Sequence, residues 1–209
     1  VKDLYFGPKA TWDYINADRI ERPWLLDSQP LVLRNYGVGL TLNYDSRDIA
    51  TNATKGVYLS ISQLFRPSWL MNKYAFSTTA FEFSTYHKAW KGAVIAGNVV
   101  GEFNIGNPSW AMMAKIGSAL RGYYEGRYRD KHKLVAQVEL RQHVWKRSGI
   151  VVWVGAGSAF HNYDSFKHIL PNYGVGYRWE FKKNMNVRLD LGFGKGDIIG
   201  FTFNINEAF

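Results

Sequence analysis

Large apolar side chains recur at every second position between residues 173 and 181, and few folds accommodate such a run. An extended chain projects alternate side chains to opposite sides, so the pattern predicts a β-strand with two chemically different faces. Glycine, arginine and glutamate occupy the positions between the apolar ones. The apolar face must therefore be buried or lie in lipid, and it comprises Tyr173, Val175, Tyr177, Trp179 and Phe181.

The same alternation recurs along the chain and predicts an all-β fold. We predict further strands within residues 36–46, 57–62, 74–86, 92–105, 134–143, 150–160, 187–193 and 199–205. With residues 173–181 the total is nine, whereas single-chain bacterial barrels have an even number of strands. Residues 2–14 supply a tenth strand, with residues 15–31 as an outer loop. Eight strands are the alternative, if residues 1–35 do not span and the weaker segments are not all strands.

Two kinds of barrel fit this alternation. A transmembrane antiparallel barrel has lipid outside and a polar interior, whereas a lipocalin-like barrel has the two faces reversed. Aromatic residues make up 16% of the chain and lie near the ends of the apolar faces, as is typical of rings anchored at lipid interfaces. No apolar run is long enough for a spanning helix, and cysteine is absent, which suits an oxidising compartment. We favour a transmembrane barrel of 8–10 strands, with ten as the preferred count.

The formal net charge of +9 raises the question of nucleic-acid binding. The basic residues are dispersed among short turns such as residues 87–91, 145–147 and 182–183, without the single basic stripe of a duplex-binding protein. Lysine next to tryptophan at a strand end suits anionic lipid headgroups. We therefore expect lipid contacts and no nucleic-acid partner.

Residues 107–131 interrupt the strand pattern and form a long loop. Its centre, residues 117–130, is rich in glycine, arginine and tyrosine. Glycine permits backbone conformations closed to other residues, and the arginine guanidinium is a planar fork of donors that is always charged. This composition fits a loop whose tip docks against a carboxylate, and equally an ordinary solvated basic loop.

Three motifs follow one another along residues 36–209. The first is LTLNYDSRDIATNATKGVYLSI (residues 40–61), the second is Leu120-Arg121-Gly122-Tyr123, and the third is the final segment FTFNINEAF (residues 201–209). Together they resemble the BamA/TamA outer-membrane superfamily, the bacterial surface-antigen type of barrel. In that family the corresponding segments are a strand-turn-strand unit, an arginine-glycine-aromatic loop tip and an alternating C-terminal targeting signal.

The resemblance implies a barrel over residues 36–209 in the bacterial outer membrane, preceded by an N-terminal segment, residues 1–35. Because so few residues precede the first matched strand, we expect a short member that lacks POTRA domains. The implied role is insertion or passage of proteins or lipids, with no covalent chemistry. The implied partners are outer-membrane lipids and other outer-membrane assembly proteins. A barrel of 8–10 strands is narrow, so we expect it to work at its lipid-facing wall or seam, and we predict a homodimer because a second copy enlarges that surface.

The resemblance also implies a latch between the loop and the barrel wall. Arg121, with Gly122 and Tyr123 beside it, would fold into the lumen and meet Glu139 on the next strand. The family's second acidic position is occupied here by Gly155, so the latch is weaker than usual or rests on Glu139 alone. The C-terminal targeting signal would comprise Phe201, Phe203, Ile205 and Phe209.

One loop contains the residue types of a catalytic site. His161, Asp164, Ser165 and His168 share one loop, but no spacing fixes them toward each other. A barrel enzyme acting on lipid or peptide through this loop is one alternative function. A passive structural pore is another. No metal-site pattern or phosphate-binding loop occurs, so we expect no metal and no cofactor.

Overall fold

The computed structural model describes residues 3–17, 26, 29–162, 164, 166, 168–196 and 199–209. Within them the protein is all-β: ten long strands form one antiparallel sheet. The predicted all-β class and the preferred count of ten strands are confirmed. The ten strands are β1 (Leu4–Asn16), β2 (Val32–Asp45), β3 (Gly56–Arg66), β4 (Phe76–Lys88), β5 (Ala93–Gly106), β8 (His132–Trp145), β9 (Ser148–Phe160), β10 (Leu170–Lys182), β11 (Met185–Gly194) and β12 (Ile199–Ile205).

Each strand pairs with its neighbour in the chain, so the sheet is a continuous meander from β1 to β12. Only the loop between β5 and β8 interrupts it, and that loop contains a two-residue hairpin of β6 (Ala114–Lys115) and β7 (Arg129–Asp130). The predicted first strand is present as β1, while β2 begins four residues before the predicted start at residue 36. Most of the predicted outer loop, residues 15–31, lies outside the described residues.

The meander gives the sheet two different ends. We call one the turn end; it holds residues 46–55, 89–92, 146–147 and 183–184 and the C-terminal residues 206–209. The opposite end carries the longer connections, among them residues 67–75 and 107–131, and is called the loop end. Both ends follow from the antiparallel order, because alternate connections lie on the same side of the sheet.

The two faces of the sheet differ as the alternation predicts. Large apolar side chains are exposed on the outer face; Tyr173 is 54% exposed and Val175 is 52% exposed. The inner face is polar and buried, with Glu139, Asp190 and Arg178 each less than 5% exposed. This is the reverse of a soluble barrel with an apolar interior.

The sheet is curved, so that elements near opposite edges meet at the turn end. The Thr51 hydroxyl donates to the backbone carbonyl of Asn184 at 2.8 Å, although the two residues follow β2 and β10 respectively. The backbone N–H of Glu207 donates to the carbonyl of Thr51 at 3.3 Å. These contacts place the C-terminal residues against the turn that follows β2. None of the helices in the described part of the chain is long and apolar enough to cross a membrane.

Candidate functional site

The loop between β5 and β8 folds back over the inner face of the sheet. A small apolar cluster fixes it there: Ile116 and Leu120 are fully buried and Tyr123 is 6% exposed. These side chains pack against Val135 of β8 and Leu170 of β10. The cluster holds the loop against the wall near the loop end and directs its tip further along the inner face.

Arg121, at the tip of the loop, contacts two carboxylates. Its guanidinium lies 2.6 Å from the Glu139 carboxylate on β8 and 3.3 Å from the Asp190 carboxylate on β11. It also stacks over the indole of Trp153, with 3.7 Å between the guanidinium carbon and the ring centroid. A guanidinium suits this position because its planar fork donates in several directions and stacks on aromatic faces. The structure therefore brings Arg121 and Glu139 together as the resemblance implied.

Asp190 is a partner of Arg121 that the sequence analysis missed. Of the two alternatives that Gly155 left open, a latch resting on Glu139 alone is therefore wrong, and a weaker latch stays a prediction. Asp190 supplies a second carboxylate from another strand. The available signal was its position between apolar residues of β11, which placed it on the inner face without indicating its distance from Arg121.

The ion pairs around Arg121 close into a ring of alternating charges, which we call the ion-pair ring. Glu139 lies 2.6 Å from Arg141, and Asp190 lies 2.6 Å from Arg178. Glu207, in the C-terminal segment, completes the ring at 2.7 Å from Arg178 and 3.9 Å from Arg141. The ring members are Arg121, Glu139, Arg141, Glu207, Arg178 and Asp190, all with side chains at most 8% exposed. Buried charges of this kind require such pairing.

Gly122 brings the loop backbone into direct contact with the inner wall. Its φ of 104° lies in the left-handed region that favours glycine. A side-chain carbon on Gly192 or on Gly200 would collide with the loop backbone at Arg121 and Gly122. Asn172 secures the approach, since its side-chain amide donates to the Arg121 carbonyl. The glycines of β11 and β12 thus leave room for the loop tip.

Tyr123 fastens the loop at two further points. Its hydroxyl donates to the Pro171 carbonyl at 2.6 Å and accepts from the Lys195 backbone N–H at 2.8 Å. Burial raises the pKa of the Tyr123 phenol, so it remains neutral and able to donate. Arg121, Gly122 and Tyr123 therefore each make a different kind of contact with the inner face.

The C-terminal segment departs from simple alternation. Phe201, Phe203 and Ile205 lie on the outer face of β12 and are 68%, 64% and 48% exposed. The strand ends there, and Asn206 adopts a positive φ of 72° that turns the chain inward. Phe209 consequently packs near Tyr86 on the inner side, and its carbonyl accepts from Arg141 at 2.9 Å. Phe209 therefore lies on the opposite side of the sheet from the other three residues of the predicted targeting signal.

The histidine loop is described only in part. His161 lies 3.3 Å from Asp130, and both side chains are partly exposed. Ser165 lies outside the described residues. In the part of the chain that the structure describes, no group of three or more histidine, aspartate or glutamate side chains is arranged to hold a metal ion.

The fold and site together define a class of protein: a curved antiparallel sheet, apolar on its outer face, whose charged inner face is occupied by a loop from its own chain. The fold is similar to that of BamA from Haemophilus ducreyi lacking POTRA domains 1–3, with a TM-score of 0.70 and 15% sequence identity. The match covers 97% of this chain and 51% of that chain, so this chain spans about half the length of its structural neighbour. No family model matches the sequence, and no curated protein matches it.

Proposed function

We propose that this chain is a transmembrane β-barrel of the bacterial outer membrane that acts in insertion or passage of proteins or lipids, without covalent chemistry. One observation carries the proposal: the usual distribution of polarity is inverted. Trp12, Val154 and Tyr173 are 70%, 64% and 54% exposed on the outer face, whereas the ion-pair ring is buried inside. Soluble proteins rarely expose a large contiguous apolar surface or bury so many charges, while lipid requires this arrangement.

The similarity to the BamA fold supports a role in outer-membrane assembly. The loop that occupies the inner face opposes a wide aqueous pore, because Arg121 and Tyr123 fill space between β8 and β11. A barrel filled in this way acts on its substrate at the lipid-facing wall or at its edge strands. We therefore place the activity on the outer surface, and disfavour both the passive pore and conduction of a polypeptide through the interior.

The edge strands also bear on assembly. Among the described residues, β1 pairs only with β2 and β12 pairs only with β11. An exposed strand edge offers unpaired backbone groups to a further strand. In lipid such edges are not stable, because no water is present to bind the unpaired N–H and C=O groups. We propose closure through these edges in a homodimer, in which a second copy enlarges the lipid-facing surface. A monomeric mass measured in lipid nanodiscs would contradict the homodimer.

Reconstitution into phospholipid vesicles tests the membrane assignment. We expect lipids with brominated acyl chains to quench the fluorescence of the outward-facing tryptophans, and Trp12→Phe and Trp179→Phe to reduce that quenching. Trp153→Phe is the matched control, because its indole lies on the inner face and is 3% exposed. Absence of quenching in the wild-type protein would overturn the membrane assignment.

The same vesicles test the activity. We expect this chain to accelerate the folding of a separate eight-stranded barrel protein, or the transfer of a fluorescent phospholipid between leaflets, relative to vesicles that hold an unrelated ten-stranded barrel. Insertion without either effect would leave the barrel assignment intact and refute the proposed role.

A further inference from the structure

Two turns at the turn end of the sheet combine tryptophan with basic residues. Residues 88–91 read Lys-Ala-Trp-Lys, and residues 145–147 read Trp-Lys-Arg. Because β5 pairs with β8, the turn before β5 and the turn after β8 are neighbours. The Trp90 indole N–H donates to the Gln142 side-chain oxygen at 2.8 Å and connects the first turn to β8.

A cavity of about 440 Å³ extends from these turns to the inner face, and its charged lining residues are mainly basic. Arg141 and Arg178 line its inner part and are already neutralised within the ion-pair ring. The charged residues around the cavity are Lys88, Lys91, Arg141, Arg147 and Arg178 on the basic side, and Glu180 and Glu207 on the acidic side. The excess of positive charge therefore lies at the rim.

Three cations at the rim, Lys88, Lys91 and Arg147, are exposed. Their side chains form no hydrogen bond or ion pair with any residue that the structure describes. A group of uncompensated positive charges around a cavity favours an oxyanion as ligand, because each ammonium or guanidinium group can donate to it without breaking an existing pair.

The cavity reaches a residue of the apolar outer face. Ile150 lines it and is 50% exposed on the outer side of β9. Trp90 and Trp145 are 58% and 66% exposed at the same level of the sheet, which is where indole rings lie at a membrane-water interface. A ligand that places an oxyanion among the three cations can therefore extend an apolar chain along the outer wall.

We propose that this cavity binds the phosphate of an anionic phospholipid headgroup, with the acyl chains lying on the outer face. The inference rests on the proposed membrane insertion of the barrel and adds a specific lipid site to it. Lys88, Lys91 and Arg147 bind the phosphate, and the two indoles pack against the glycerol region.

Native mass spectrometry of the protein in neutral detergent, with phosphatidylglycerol or phosphatidylcholine added, tests the site. We expect the wild-type protein to bind phosphatidylglycerol more tightly. The variant Lys88→Gln/Lys91→Gln/Arg147→Gln should weaken that binding roughly 100-fold, since each cation contributes about a fivefold factor near an anionic headgroup. The control Lys55→Gln/Lys182→Gln/Lys183→Gln removes the same charge at the same end from residues that do not line the cavity, and should retain wild-type binding.

Two results would overturn the lipid site. One is equal loss in both triple variants, which would indicate a general charge effect. The other is displacement of phosphatidylglycerol by an equal concentration of glycerol phosphate, which would show that a soluble anion is the ligand. Binding is measured in detergent and does not require insertion into vesicles. Failure of the chain to insert would therefore count against the proposed function, while the lipid-binding result could still be interpreted.

Discussion

Replacing Arg121 with alanine tests the central contact of the site. Loss of one partner from a buried ion pair costs about 3–5 kcal/mol, because the remaining charge is left uncompensated. Glu139 retains Arg141 and Asp190 retains Arg178, each at 2.6 Å, so the lower end of that range applies. Lost stacking on Trp153 adds about 1 kcal/mol. We therefore expect the free energy of unfolding to fall by about 4 kcal/mol.

The measurement is urea-induced unfolding of the protein in vesicles, followed by tryptophan fluorescence. Arg127→Ala is the matched control, because it removes the same charge from an exposed position in the same loop. Exposed positions of this kind change stability by about 0.5 kcal/mol or less. Arg121→Lys should recover part of the loss, since it keeps the charge without the planar fork. Equal destabilisation by Arg121→Ala and Arg127→Ala would refute a special role for the loop arginine.

Three further changes test the packing and protonation of loop and turn. Gly200→Val should displace the loop tip and lower the yield of heat-resistant folded protein, because the added side chain meets the Gly122 backbone; Gly7→Val, where the space is open, should not. Tyr123→Phe should reduce the free energy of unfolding by about 1–2 kcal/mol through loss of its two hydrogen bonds, whereas the same change at Tyr124, which is 68% exposed, should have no effect. In the turn after β2, burial raises the pKa of Asp48, but hydrogen bonds from Thr54, Lys55 and Ile49 outweigh it and leave the pKa below the ordinary 3.8. The ionised carboxylate therefore stabilises the folded state above pH 3.8, and this contribution is lost as the pH falls through the lowered pKa. The variant Asp48→Asn cannot lose it, so the free energy of unfolding should depend less steeply on pH below 3.8 than in the wild-type protein.

The strands were predictable because their alternation is a local property of the sequence. In β10, for example, Tyr173 and Val175 alternate with glycine, and the structure places both on the outer face. The start of β2 was set too late because the alternation of polarity is reversed there: Leu33 is buried and Arg34 is exposed. The meeting of Arg121 with Glu139 followed from a motif resemblance and from the inward parity of β8.

The remainder of the site depends on distances across the sheet. The alternation of side chains along one strand does not predict those distances. The alternation of Asp190 with apolar residues of β11 indicates the inner face, but its approach to Arg121 depends on how far the loop tip reaches past β9 and β10. Asn172 offered no signal, although its amide holds the loop backbone. The inward turn of Phe209 arises from the positive φ of Asn206. Asparagine tolerates this conformation, but its presence in a sequence does not predict it.

The ion-pair ring connects the loop, at Arg121, with the C-terminal segment, at Glu207. Arg178 binds Asp190, which holds the loop, and also binds Glu207, which belongs to the C-terminal segment. Arg141 makes the equivalent connection between Glu139 and the Phe209 carbonyl. Loop position and C-terminal packing are therefore linked through two shared arginines on the inner face of the sheet.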